Sequence, residues 1–140
     1  CGHRGHLEAI ASGTAIARWT REQLQSGRIS SLVNQPQITA YSVAQAAHKG
    51  DPLSLEAYER AGKTLGLAIV NFLHIFNPSL IIFGGGVSKS IDLLLPHINL
   101  VLEQEVFAPG YLDNLEITTA ALGDDAGLLG ALALAREAHR

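Results

Sequence analysis

The apolar run Leu80-Ile81-Ile82-Phe83 delivers the chain into three consecutive glycines, Gly84-Gly85-Gly86, and a helical pattern opens after Val87-Ser88. A short run with no polar residue reads as a strand covered on both faces, the kind found in parallel sheets. Glycines between such a strand and a helix either make a turn that needs positive φ or let a ligand approach the main chain beside a helix N-terminus. Ligands of open α/β sheets sit at the carboxyl ends of strands. One glycine suffices for a turn, so three favour a nucleotide loop at Gly84, Gly85, Gly86 and Val87. The stretch is neither a Walker A loop nor a dinucleotide fingerprint. Ser88 stands where GxxxxGKS needs its second glycine, and Lys89 where GxGxxG needs its last. Lys89 reads as a solvated surface residue.

The flanking patterns complete an α/β order. Leu7 to Gln25 has apolar residues near period 3.6 (Leu7, Ile10, Ala11, Thr14, Ala15, Trp19, Leu24), and Ser26-Gly27 stops it. Residues 28–38 read as a loop. Ser42 to Gln45 has a capping-box pattern that starts a short helix to His48. Gly50 stops that helix, and Asp51-Pro52 supplies N-cap and N1 for a long one, Pro52 to Phe76. Its apolar face holds Leu55, Tyr58, Ala61, Leu65, Ile69, Phe72 and Phe76. Gly62 and Gly66 each cost about 1 kcal/mol against alanine, which predicts another backbone packed very close. After the glycine loop, Ser88 caps a helix through Glu105 that Pro96 should bend or divide. Glu116 to Leu122 alternates as a second strand, and Asp124 or Asp125 caps a last helix from Ala126 to Ala138. Strands alternating with helices indicate a parallel α/β layer.

At 140 residues the chain suits one domain that buries roughly two-thirds of its unfolded surface. With 47% hydrophobic residues its composition is globular, and a net charge of −3 offers no electrostatic footprint for nucleic acid or an anionic membrane. The longest apolar stretch is interrupted by Asn71, His74 and Asn77 and falls short of the roughly 20 residues of a membrane span. One cysteine makes no internal disulfide, so a cytoplasmic setting is expected.

The first eight residues, Cys1-Gly2-His3-Arg4-Gly5-His6-Leu7-Glu8, place a thiol, two imidazoles and a carboxylate in one non-periodic stretch. Thiolate and imidazole are zinc ligands, and structural zinc takes four. Taken alone, however, these residues read as a loop cysteine and exposed histidines. Glu8 reads first as first-turn macrodipole stabilisation. His48, His74, His97 and His139 fall on separate elements without partners in register.

Together these segments resemble the ROK family (repressors, open reading frames, kinases). Cys1-Gly2-x-x-Gly5-His6-x-Glu8 followed by Ala11-Ser12-Gly13-Thr14 is similar to the family's CGxxGCxE zinc motif and its A-S-G helix. The A-A-x-x-G-D segment is matched by Ala46-Ala47-x-x-Gly50-Asp51, and the N-P-x-x-I-V-x-G-G-G segment by residues 77–86. Leu122-Gly123-x-x-Ala126-Gly127-Leu128-x-Gly130-Ala131 is similar to the C-terminal segment.

The resemblance implies an α/β, actin-like ATPase (ribonuclease H-like) C-terminal lobe over residues 1–140, a mixed sheet flanked by helices. The N-terminal lobe and the first part of the zinc motif would lie upstream. It implies a glucokinase-like sugar kinase that transfers the γ-phosphoryl group of ATP, with Mg²⁺, to a hexose. The alternative is the effector domain of a sugar-sensing repressor. By the same resemblance Glu8 binds sugar, Gly84 to Val87 hold the adenosine side, and Cys1 and His6 are two of four ligands of a structural Zn²⁺. His6 replaces the commoner cysteine, and His3 falls at a variable position. The base, an aspartate, would also lie upstream, so these residues alone would be inactive. A homodimer is implied as well.

Overall fold

The computed structural model describes residues 5–138. In chain order the elements are α1 (Glu8–Ala11), α2 (Gly13–Gln25), α3 (Ala40–His48), α4 (Pro52–Phe76), β1 (Leu80–Phe83), α5 (Ile91–Glu105), β2 (Glu116–Thr119) and α6 (Ala126–Glu137). β1 and β2 pair in parallel, from Leu80 opposite Glu116 to Phe83 opposite Thr119. Parallel neighbours need a crossover, and α5 supplies it. The expected α/β layer is therefore present, with two strands among the described residues.

α4 and α5 pack on each other more extensively than any other pair of elements. Gly62 and Gly66 allow the approach. A Cβ at Gly62 would lie 2.8 Å from the His97 Cβ and 2.9 Å from the Leu94 carbonyl oxygen; one at Gly66 would lie 2.7 Å from the Val101 Cβ. Around this crossing Tyr58, Ala61, Ile69, Leu73, Leu94 and Ile98 are buried. Leu55, Phe72 and Phe76, also expected on the buried face of α4, are exposed. α5 is continuous through Pro96. The proline only removes the bond its missing N–H would have made to the Asp92 carbonyl.

The first helix divides at Ser12, which is extended (ψ 161°) and caps α2 by accepting the Ala15 N–H at 3.1 Å. The break resets the helical phase, so Ile16 and Thr20 turn inward while Thr14 is exposed. Thr20 Oγ1 donates to the Ile16 carbonyl at 2.9 Å, which satisfies its hydroxyl. In α3 the cap is Thr39 and not Ser42. Thr39 Oγ1 accepts the Ser42 N–H, and Ser42 Oγ accepts the Thr39 N–H, a reciprocal capping box one turn earlier than expected. Gly50 (φ +83°), Asp51 and Pro52 take their expected places, and Asn77 ends α4 in the left-handed region. Asp125 makes no side-chain cap to α6, which follows a 3-10 turn at Gly123–Asp125.

β1 is not covered on both faces. Ile81 and Phe83 pack against the core, whereas Leu80 and Ile82 are 45% and 58% exposed. The sheet packs on the core through one side only, which leaves Leu80 and Ile82 on the other side exposed, and the leucines of α6 are likewise exposed.

Asp51 anchors the long loop. Its carboxylate accepts from the Ser54 N–H (2.9 Å), Ser54 Oγ (2.8 Å), Ser30 Oγ (3.0 Å) and Ser31 N–H (2.7 Å). Burial opposes ionisation, but these hydrogen bonds prevail and lower the pKa from 3.8 to about 2.

Two consequences are measurable in the intact protein. Gly66→Ala gains up to about 1 kcal/mol of helix propensity but forces α4 and α5 apart, an overpacking cost of about 1–3 kcal/mol. A net fall in the denaturant midpoint is therefore expected; an unchanged or higher midpoint would show that the crossing is slack. Because the folded pKa of Asp51 lies below its unfolded value, its stabilisation is present above that unfolded value of 3.8 and is lost as pH falls through about 2. That contribution is on the order of 2 kcal/mol. Asp51→Asn should lower stability at neutral pH and flatten this acid limb of the stability curve.

Candidate functional site

The site is built where β1 ends. Beyond Gly84 and Gly85 the chain enters a 3-10 turn, Gly86–Ser90, before α5 begins at Ile91, so the helix starts later than Ser88. Ser88 tightens this turn by donating its Oγ–H (2.7 Å) and its N–H (3.1 Å) to the Gly85 carbonyl.

Of the three glycines only Gly85 has positive φ (+80°, ψ −176°), a conformation essentially reserved for glycine. Gly84 and Gly86 face no such demand. A Cβ at Gly86 would meet nothing within 4 Å, and one at Gly84 only the Ala120 Cβ at 3.9 Å. Their missing side chains thus leave open space beside the main chain.

The space at Gly86 belongs to a cavity of about 480 Å³ between the turn after β1 and the N-termini of α2 and α3, which Gly84 and Gly85 do not border. Gly86 and Val87 border it from the loop, Gly13 and Thr14 from α2, and Ala40 and Tyr41 from α3. Its size is within the range of small-molecule sites. Gly13 is where the three walls meet: a Cβ there would lie 3.1 Å from both the Ala40 Cβ and the Val87 Cγ2. Tyr58, also on the cavity, donates its hydroxyl to the Ala40 carbonyl at 3.2 Å. Burial raises the Tyr58 pKa; a hydrogen bond with Ser90 partly offsets this, and the Asp92 charge adds to the rise. Tyr58 is therefore a neutral donor at ordinary pH. Lys89 is exposed at the edge of the same cavity.

The other candidate residues lie elsewhere. Glu8 is exposed on α1 and does not border this cavity. Its helix is tied down by Arg18, whose guanidinium donates to the Ala9 carbonyl at 2.6 Å, and by buried Ala11. Between Glu8 and the cavity the chain runs only through the rest of α1, Ser12 and Gly13. His6 is exposed. Cys1 and His3 lie outside the described residues. Among the described residues no group of three His, Cys, Asp or Glu side chains gathers as a metal site.

Two histidines expected to lack partners have them. His48 Nε2 lies 2.6 Å from Asp92 Oδ2, bridging α3 to α5. His74 Nε2 accepts the Phe107 N–H at 3.0 Å and meets the Tyr111 ring edge-on. Their partners lie 44 and 33 residues away, a separation that helical register does not reveal. Gly13, Tyr41 and Tyr58 were missed as site residues. The A-S-G-T segment marks Gly13 on the α2 wall, and no sequence pattern marks Tyr41 or Tyr58 as site residues.

The parallel βαβ unit, the helices layered on it and the glycine loop leaving the first strand belong to the actin-like ATPase fold, which the chain shares with solved ROK sugar kinases. The chain belongs to the ROK family, whose profile matches residues 1–138. A glucokinase of Thermotoga maritima is 34% identical over 98% of this chain and 44% of its own length. The DNA-binding transcriptional repressor Mlc of Escherichia coli is 31% identical over 99% of this chain and 33% of its own length. The crystal structure of a ROK family glucokinase from Streptomyces griseus, in complex with glucose and AMPPNP, superposes with a TM-score of 0.79. That structure is 27% identical, over 98% of this chain and 46% of the other. The chain thus spans less than half the length of these relatives. Among the described residues no helix is long and apolar enough to cross a membrane.

The unequal glycines can be tested by substitution. Gly85→Ala should destabilise the intact protein by about 1–3 kcal/mol, the cost of a Cβ in a backbone conformation essentially open only to glycine, whereas Gly86→Ala should melt like the wild type. Equal melting temperatures for the two variants would contradict the division of roles.

Proposed function

We propose that residues 1–140 form the C-terminal lobe of an ATP-dependent hexose kinase, with a nucleotide's adenosine end in the cavity beside Gly84, Gly85, Gly86 and Val87. The observation that carries this reading is the cavity itself. It opens on the turn that follows a parallel strand, and Gly86, which borders it, is unexplained by backbone conformation. The bound glucose and AMPPNP of the Streptomyces griseus glucokinase support it.

In this reading Glu8 accepts hydrogen bonds from sugar hydroxyls. Its exposure on the first turn of α1 leaves the side chain open to a ligand. ATP, with Mg²⁺, donates the γ-phosphoryl group to a hexose hydroxyl. The base that takes the hydroxyl proton lies outside this chain, so these residues bind and position but do not turn over alone. Cys1 and His6 have the donor chemistry of zinc ligands. With two further ligands from outside the chain they would hold a structural zinc that braces the turn leading to Glu8. The intact protein is then a cytoplasmic homodimer.

The similarity to the Escherichia coli repressor favours a second reading, in which the same lobe senses a sugar and regulates DNA binding by another domain. A coupled assay of the intact protein with ATP and a hexose panel, beside a DNA-retardation assay, separates the two. Sugar-dependent ADP release is expected. Its absence, with sugar-sensitive DNA binding present, would support the repressor reading.

Glu8→Gln weakens charge-assisted hydrogen bonds to the sugar, so kcat/KM for hexose should fall about ten- to a hundredfold, with KM raised and kcat lowered. KM for ATP should stay constant. Unchanged hexose kinetics would remove Glu8 from the sugar site.

A further inference from the structure

We infer that Tyr41 selects the base of the nucleotide, its ring closing over a purine that also rests on Val87; this builds on the nucleotide reading of the cavity. Tyr41 is the second residue of α3, and its side chain is 74% exposed. It borders both the cavity of about 480 Å³ and a neighbouring one of about 390 Å³ between the 28–38 loop and α3.

The main chain beneath the ring is held firmly. The Thr39–Ser42 capping box fixes the first turn of α3, and the adjacent Ala40 carbonyl accepts the Tyr58 hydroxyl. Ala40 also sits against Gly13, at a separation that leaves no room for a further methyl group. With that backbone held, only the two side-chain torsions of Tyr41 are left to be ordered when its ring stacks on a ligand, a small entropic cost.

Val87 is fixed in the same way, since Gly13 lies directly beneath its Cγ2. The cavity lining holds one charged side chain, Lys89. A largely neutral, partly apolar slot between a valine and an aromatic ring suits a heteroaromatic base better than a sugar or a phosphate, because bases stack through their π-faces. The N–H groups of Ala40 and Tyr41, in the first turn of α3, have no acceptor within the helix and can meet the ring nitrogens of a purine.

The test compares wild type, Tyr41→Ala and Tyr41→Phe in the intact protein, titrated calorimetrically with ATP, ADP and inorganic tripolyphosphate. Loss of a stacking partner should raise the Kd of Tyr41→Ala for ATP and for ADP by about tenfold or more. Tyr41→Phe should bind both as wild type does. Tripolyphosphate affinity, the KM for hexose and the melting temperature should be the same in all three proteins. Wild-type ATP affinity in Tyr41→Ala would overturn the assignment and leave the nucleotide reading standing. An equal loss of ATP and tripolyphosphate affinity would overturn it too, by showing a general disturbance. A wild-type protein that binds none of the three ligands would overturn both.

Discussion

The close crossing of α4 and α5 sets the position of everything else. Two glycines four residues apart remove one row of side chains from α4, and the backbone of α5 fills the groove. α5 is also the crossover between β1 and β2, so the glycines of one helix indirectly fix where the sheet lies. α1, α2 and α3 all pack onto α4. A cost of about 1 kcal/mol per glycine in helix propensity is offset by the burial of Leu94, Ile98 and Val101 against the α4 surface.

The same economy of side chains recurs at the site. Gly13 lets the start of α2 touch both α3 and the loop after β1, so three segments distant in sequence share one cavity wall. Ser12 makes this possible. By capping α2 it turns the chain between the short helix that carries Glu8 and the wall that carries Gly13 and Thr14. In the proposed kinase the sugar-side and nucleotide-side groups would then be coupled through a few residues of one continuous backbone. Sugar contacts could in that way be held in register with the nucleotide without a long chain of intermediaries.

Local chemistry was the readable part. Proline after aspartate, glycine at a helix end and a period near 3.6 placed α4 to the residue, because each is a short-range steric or hydrogen-bonding effect. The strand and the glycine loop were equally plain. Ser12 was misread because a serine inside an amphipathic pattern is compatible with both a helix interior and a cap. The capping box at α3 was read one turn late for a related reason: Ser42 serves as a cap in one frame and as the N3 partner of Thr39 in the other. The exposed face of β1 could not be read at all. A run of four apolar residues predicts burial, but it does not say which part of a protein provides the cover. The walls of the cavity, Tyr41 above all, depend on tertiary approach and left only the A-S-G-T segment as a trace.

The single carboxylate that gathers Ser30, Ser31 and Ser54 acts with buried Leu32 and Ile38 to hold the connection between α2 and α3. A connection without regular helix or strand would ordinarily fluctuate independently of the helices on either side. Here one end is fastened to the first turn of α4, so it opens only when that turn opens. In a deuterium-exchange experiment the Ser31 amide, and the Leu32 amide that donates to Ser30 Oγ, would therefore share the slow time course of Ser54.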